Sequence, residues 1–179
     1  LWDIAGKSAG VPVWMLLGGR VRNKIRVYPG TGGGTPEQAG QNAASLVEKY
    51  GYTALKMGIQ APGDKPLNRA IRDTVAHVKA VRDAVGPDVD IAVDVHTKFV
   101  EPDRAIRLAH AIEPFQPMWM EESTRPENPD AMKKIADHVN IPLASGESNY
   151  MIHEFKRLIE IQALDFVQPD ICVCGGVLT

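Results

Sequence analysis

Three acidic residues stand at regular intervals, each directly after a short apolar run. They are Asp94, Glu121 and Glu147, separated by 27 and 26 residues. Three carboxylates that converge in a partly dry site repel one another and raise each other's pKa values unless a cation balances them. A set of oxygen ligands without histidine or cysteine indicates a hard ion, and room for water and substrate oxygens favours Mg²⁺. The trio therefore predicts a magnesium site, the alternative being acids that cap helices or pair with lysines.

Three further candidate side chains fall near the same strand ends: one more acid, a lysine and a histidine. Asp170 follows Glu147 by 23 residues, and Lys56 lies in the apolar run that begins at residue 54. His96 lies two residues after Asp94, so on an extended strand both would face the same side. An imidazole at that place suits proton transfer. The alternatives are a polar loop histidine and a lysine in a solvated ion pair.

An alternation of short β-rich runs and amphipathic helices carries these side chains. Strands are predicted at residues 25–28, 54–58, 90–95, 118–122, 142–146 and 165–168. Helices are predicted at residues 35–50, 66–85, 102–112, 129–138 and 151–163. Residues 1–22 break this rhythm, because two short helices at residues 1–8 and 12–17 precede the first predicted strand.

The alternation predicts an α/β fold with a parallel sheet. An open doubly wound sheet and a closed barrel both satisfy it. The barrel is favoured, because no glycine-rich dinucleotide fingerprint follows the first strand and chemically capable residues end nearly every strand. Six units predict a partial (β/α)8 TIM-like barrel, of which two units are expected beyond this sequence.

Composition narrows the partners to small molecules. The 179 residues are 44% hydrophobic and 23% charged, with a formal charge of −2, so no broad basic field would attract nucleic acid or an anionic membrane. No apolar run is long enough to span a bilayer, and the start lacks a signal peptide. Cys172 and Cys174 are too close for a good disulfide, which favours reduced thiols in a cytoplasmic protein. The sequence starts without methionine and ends as though a helix were about to begin, so we expect a piece of a longer protein.

The ordered set of motifs resembles the barrel of the mandelate racemase branch of the enolase superfamily. The matching segments are Asp94-x-His96, Trp119-Met120-Glu121-Glu122, Gly146-Glu147-Ser148 and Gln168-Pro169-Asp170. Residues 1–7 and 13–19 resemble the junction between that family's capping domain and its barrel. The resemblance implies that residues 1–22 end a capping domain and that residues 23–179 form an incomplete catalytic barrel.

The resemblance also implies a reaction. In this superfamily a base removes the proton α to a substrate carboxylate, and Mg²⁺ stabilises the enediolate. The acid at the Asp170 position pairs with a histidine on the next strand, which is expected beyond residue 179. A histidine placed like His96 resembles the galactonate, gluconate and mannonate dehydratases, where it protonates the departing 3-hydroxyl. The expected enzyme is therefore a lyase, a sugar-acid dehydratase that gives a 2-keto-3-deoxy acid, and family members commonly form homo-oligomers.

Two other functions stay open. A racemase, epimerase or cycloisomerase would use the same enediolate, with Lys56 as a second base. Lys56 matches the second lysine of the racemase Lys-x-Lys pair, but Ala54 stands where the first would be. A catalytically silent sugar-acid-binding or regulatory protein would keep the fold alone.

Overall fold

Five short parallel strands form one sheet in the computed structural model, which describes residues 1–60 and 63–178. The strands are β1 (Ala54–Gly58), β2 (Asp90–Asp94), β3 (Trp119–Glu121), β4 (Leu143–Ser145) and β5 (Phe166–Val167). Their order in the sheet is their order in the chain, and every neighbouring pair is parallel. A doubly wound sheet reverses its strand order at a switch point, whereas a barrel wall does not. The sheet is therefore part of a TIM-like barrel.

Helices connect the strands and pack against their neighbours along the chain. They are α1 (Trp2–Ala9), α2 (Val13–Leu16), α3 (Pro36–Tyr50), α4 (Leu67–Val85), α5 (Pro102–Ile112), α6 (Pro129–Ala136) and α7 (Ile152–Glu160), with a 3-10 turn at Glu113–Phe115. Contacts run from α3 to α4, α4 to α5, α5 to α6 and α6 to α7. Helices α3 to α7 form the outer layer of the barrel wall, whereas α1 and α2 pack against each other.

Side-chain caps fix where two of the helices begin. The Thr35 hydroxyl accepts a hydrogen bond from the Gln38 amide at 3.3 Å, and the Asn128 side chain accepts one from the Ala131 amide at 3.2 Å. Each cap is followed by a proline in the first helical turn. A cap satisfies an orphan amide, and proline there loses no hydrogen bond. The first turns of α3 and α6 are therefore fixed at defined residues.

The core is deepest at β2 and thins toward β5. Ile91, Ala92 and Val93 are 1% exposed or less, as expected for a parallel strand covered on both faces. Phe166 and Val167 of β5 are 43% and 41% exposed. The described sheet is thus open along its last strand.

The strand predicted at residues 25–28 is wrong. Ile25 and Val27 are 75% and 61% exposed, and the segment meets β1 only through a bridge at Gly30. The Lys56 amide donates to the Pro29 carbonyl at 2.9 Å, and the Thr31 amide donates to the Lys56 carbonyl at 2.7 Å, so the pairing is made at residue 30 and not over residues 25–28. The six predicted strands are accordingly five in the described residues.

None of the helices in the described part of the chain is long and apolar enough to cross a membrane. Cys172 is exposed and Cys174 half-buried, and both are free thiols.

Candidate metal centre

Two of the predicted acidic ligands lie side by side at the carboxyl edge of the sheet. Asp94 ends β2, Glu121 ends β3, and the two are partners in the strand register. Glu147 follows the end of β4 by two residues. Because parallel strands share one carboxyl edge, the loops that follow them converge there. Asp94 and Glu121 are buried, whereas Glu147 is half-buried.

The ammonium of Lys56 lies between the two buried acids. Its Nζ is 3.0 Å from Asp94 Oδ2 and donates a hydrogen bond to Glu121 Oε1 at 2.7 Å. Burial lowers the pKa of Lys56, but its contacts with Glu121 and Asp94 raise that pKa more, to well above the ordinary value. The lysine is therefore a charged partner of both acids, which is the ion-pair alternative expected from the sequence.

One oxygen of Asp94 has no hydrogen-bond partner in the described part of the chain. Asp94 Oδ1 is buried and accepts no hydrogen bond from the described residues. Buried carboxylate oxygens in proteins are normally satisfied, so an orphan of this kind needs an explanation, and a bound cation is one. In residues 1–60 and 63–178, however, no three His, Cys, Asp or Glu side chains are already grouped as a metal site. The acids fit a hard cation by their chemistry, and the trio stays a prediction.

Glu147 faces other negative charges. Burial raises the pKa of Glu147, and the charges of Glu122 and Asp94 raise it further. The nearby ammonium of Lys56 opposes this shift but does not cancel it. A carboxylate that resists ionisation in this way gains from a multivalent cation at the same place.

His96 lies beside Glu147 and Asp94, although not for the reason expected. Its Nδ1 is 3.5 Å from Glu147 Oε1 and 3.9 Å from Asp94 Oδ2. The strand ends at Asp94, and His96 has a φ of 53°, so the alternation of an extended strand does not reach it. The side chain is 66% exposed, which leaves the imidazole accessible from the open side of the site.

Asp170 is not brought into this cluster. It is exposed, and its Oδ1 accepts a hydrogen bond from the Cys172 amide at 2.7 Å. Its carbonyl accepts from the amides of Val173 and Cys174. In the described chain Asp170 therefore stabilises the turn that follows β5.

Two side chains that the sequence analysis named only as parts of motifs, without a role, hold Glu121. The indole Nε1 of Trp119 donates to Glu121 Oε2 at 3.1 Å, and Gln168 Nε2 donates to the same oxygen at 3.3 Å. The Trp119 ring also packs against Tyr28 and Phe166, with centroids 5.7 and 5.0 Å away. Trp119 precedes Glu121 by two residues, so strand alternation was a signal that could have found it. Gln168 comes from two strands away and had no such signal.

An open cleft in the described chain is lined by sequence neighbours of His96 and Glu147, but not by the predicted ligands themselves. Its volume is about 680 Å³, and it lies between the loop after β3 and the first turns of α7. The lining includes Thr97 and Ser148, the neighbours of His96 and Glu147, together with Arg125 and Tyr150. A space of this size is in the range of small-molecule sites.

Comparisons with known proteins agree with this architecture. Residues 38–179 match the family described as enolase C-terminal domain-like. A D-galactonate dehydratase from Variovorax paradoxus (strain S110) is 40% identical over 177 residues, which are 99% of this chain and 46% of that protein. The chain thus spans about half the length of the curated relatives it matches.

Solved structures show the same likeness. A member of the enolase superfamily from Salmonella Typhimurium superposes with a TM-score of 0.90 at 38% identity, over 99% of this chain and 50% of that one. An enolase from Agrobacterium radiobacter, with Na and L-malate bound, superposes with a TM-score of 0.87 at 35% identity, over 99% of this chain and 46% of that one.

Proposed function

The chain belongs to the enolase C-terminal domain-like family, and on that premise we propose that the protein is a magnesium-dependent sugar-acid dehydratase. Its substrate is an aldonate. The C2–H bond α to the carboxylate breaks, the 3-hydroxyl leaves as water, and a 2-keto-3-deoxy acid is the product. The superfamily expected from the motifs is confirmed, and the D-galactonate dehydratase relatives support this substrate class.

The observation that carries the proposal is an imidazole among acids at one edge of the sheet. His96 Nδ1 is 3.5 Å from Glu147 Oε1 and 3.9 Å from Asp94 Oδ2. Elimination of water needs a general acid for the departing hydroxyl, whereas proton exchange at the α-carbon alone does not. An accessible histidine beside the predicted ligands suits that role by its position at the open side of the site.

Asp94, Glu121 and Glu147 would hold the magnesium ion. When bound, Mg²⁺ supplies positive charge for the substrate carboxylate as negative charge develops on it. Two observations support the assignment, the buried unpaired Asp94 Oδ1 and the raised pKa of Glu147. Trp119 and Gln168 orient Glu121 through hydrogen bonds to its Oε2, the oxygen that does not bond to Lys56.

The remaining roles follow the family resemblance. We assign proton abstraction to a histidine that pairs with Asp170 in the whole protein. Lys56 is the second candidate, because it matches the second lysine of the racemase Lys-x-Lys pair, although its contacts with Asp94 and Glu121 keep it charged. If Lys56 is the base, a racemase, epimerase or cycloisomerase becomes the alternative function, since those reactions need a second base and no leaving hydroxyl. The other alternative is a silent member of the family that binds sugar acids without turning them over.

The setting of the enzyme is part of the same proposal. Residues 1–22 end a capping domain, and residues 23–179 belong to the catalytic barrel. The partners are small sugar acids and further copies of the protein, with no nucleic acid or membrane, in keeping with a formal charge of −2. The free thiols of Cys172 and Cys174 suit the cytoplasm.

A panel of sugar acids in D₂O tests the function. The full-length protein is incubated with Mg²⁺ and each acid, and NMR follows both water loss and deuterium entry at the α-carbon. We expect a 2-keto-3-deoxy acid from one or a few aldonates, and no product after EDTA treatment. Deuterium entry without water loss would instead favour the racemase group, and binding without either would favour the silent member.

A further inference from the structure

Glu122 is a buried acid that directly follows the predicted ligand Glu121. Glu122 is only 1% exposed, and its φ is 47°. L-residues rarely adopt this left-handed conformation, so surrounding contacts have to hold it. The backbone turn separates the two carboxylates: that of Glu121 meets Lys56, and that of Glu122 meets the loop after β4.

The Glu122 carboxylate accepts hydrogen bonds from both sides of Glu147. Its Oε1 accepts from the Ser145 hydroxyl and from the Gly146 amide at 3.3 Å, and its Oε2 accepts from the Ser148 hydroxyl at 3.3 Å. An ionised carboxylate only accepts hydrogen bonds, so it can serve three donors at once. Burial of a carboxylate costs free energy unless such donors satisfy it. These three hydrogen bonds therefore favour the loop conformation in which they form.

The loop has little freedom to move away. Gly146 has a φ of 137°, and a Cβ there would lie 2.9 Å from Phe155 Cε1 and 3.1 Å from the Gln168 amide nitrogen. Glu122 therefore forms hydrogen bonds with a closely packed segment. The side chain of Glu147 extends from this segment toward His96.

We propose that Glu122 is a positioning residue, which holds the 145–148 loop so that Glu147 completes the cation site with Asp94 and Glu121. The proposal rests on the proposed metal site. Outer contacts of this kind orient metal ligands, and their loss typically lowers metal affinity about 10-fold to 100-fold.

Metal titration of the full-length protein tests this role. The Kd of Mg²⁺ is measured by calorimetry and that of Mn²⁺ by electron paramagnetic resonance, for the unaltered protein and for Glu122→Ala and Glu122→Gln. We expect Glu122→Ala to raise both Kd values about 10-fold to 100-fold. Glu122→Gln should raise them less, because its amide oxygen still accepts from Ser145 and Gly146.

The neighbouring Ser123 gives a matched control. It is fully buried, and its hydroxyl has no hydrogen-bond partner in the described residues, so Ser123→Ala should leave both Kd values unchanged. A folded Glu122→Ala protein that binds both ions as tightly as the unaltered one overturns the positioning role. If Glu122→Ala does not fold, Ser148→Ala replaces it, with a smaller rise in Kd expected, and unchanged Kd values in Ser148→Ala and Glu122→Gln overturn the role. Absence of Mg²⁺ and Mn²⁺ binding in the unaltered protein overturns the metal site itself, which is seen before any variant is compared.

Discussion

The side chain of Lys56 balances part of the negative charge of Asp94 and Glu121. Its Nζ is within 3.0 Å of both carboxylates, and the side chain is 28% exposed. Exposed ion pairs contribute little to the free energy of unfolding, whereas the disruption of a buried pair lowers it strongly. A partly buried pair such as this one is expected to contribute an intermediate amount. A bound cation would neutralise the same two carboxylates, so the lysine and the cation would stabilise the same pair of negative charges.

Replacement of Lys56 by methionine separates these two contributions. We expect Lys56→Met to lower the free energy of unfolding by about 1–3 kcal/mol in EDTA, since two neighbouring acids lose a counter-charge. Added Mg²⁺ should then raise the Tm more in the variant than in the unaltered protein, because the ion stabilises the folded state in which the acids converge. Thermal unfolding with and without Mg²⁺ measures both effects.

The control for this variant is an exposed lysine pair. Lys79 pairs with Asp83 on α4, and both side chains are more than half exposed, so Lys79→Met should change stability by less than about 0.5 kcal/mol. An equal Mg²⁺-induced rise in Tm in the Lys56 variant and the unaltered protein would contradict the shared-charge account.

His96 should act after the proton is removed. We expect His96→Asn to keep deuterium entry at the α-carbon of the substrate while water loss falls by about 100-fold to 10,000-fold, the usual effect of losing a general acid. His110→Asn, on the exposed side of α5, is the control and should leave both rates unchanged. Loss of both rates together in the His96 variant would mean that the imidazole takes part in the first step.

The spacing of the acids predicted that Asp94 and Glu121 lie near each other, but it did not predict which side chains contact the acids. The carboxyl edge of a parallel sheet gathers residues at strand ends, so Asp94 and Glu121 could be found from their positions in two apolar runs. The interactions made by Gln168 and Glu122 depend on loop backbone, including the left-handed φ of Glu122. Such conformations are decided by long-range packing, which hydrophobic periodicity does not report.

At the scale of elements, Arg82 ties three segments together at the amino end of β2. From α4 its guanidinium donates to the carbonyls of Gly86 at 2.8 Å and Val89 at 2.6 Å, and to those of Phe115 at 3.1 Å and Gln116 at 3.2 Å. Burial lowers the pKa of Arg82. The planar group can serve several acceptors at once, which a lysine cannot do.

Loss of these hydrogen bonds should destabilise the barrel without affecting the proposed metal site. We expect Arg82→Met to lower the free energy of unfolding by about 2–4 kcal/mol, because four carbonyls lose a charged donor. The Kd of Mg²⁺ should not change, since the acids lie at the opposite edge of the sheet. Urea unfolding and calorimetry measure the two quantities, with the exposed Arg72→Met on the same helix as control. An Arg82 variant as stable as the Arg72 variant would contradict this role.

Most helices and strands were predictable because the burial of one face requires apolar residues at a regular spacing along the sequence. Strand 54–58 and helix 102–112 have the predicted bounds, and the other later strands and helices differ only at their ends. The predicted strand at 25–28 looked equally apolar, but Ile25 and Val27 are exposed. Sequence pattern reports apolar residues, whereas strand formation also needs a partner edge with matching donors and acceptors.

At the scale of the whole molecule, stability is distributed unevenly across the sheet. β2 has hydrogen-bonded neighbours on both sides, and its central residues are fully buried. β5 is paired on one side in the described chain, and Phe166 is 43% exposed. Regions with fewer buried contacts and more exposed hydrogen bonds open at lower free energy.

Hydrogen exchange of the 179-residue chain should follow this gradient. We expect the amides of β2 and β3 to exchange most slowly, those of β1 and β4 at intermediate rates, and those of β5 fastest, because opening free energy falls with burial and pairing. Mass spectrometry of peptides after timed exchange measures the order. Slow exchange in β5 at high protein concentration that becomes fast on dilution would mean that exposed edges pair between copies. Slow exchange in β5 at every concentration would contradict the gradient, since the burial and pairing of one chain would then not set its opening.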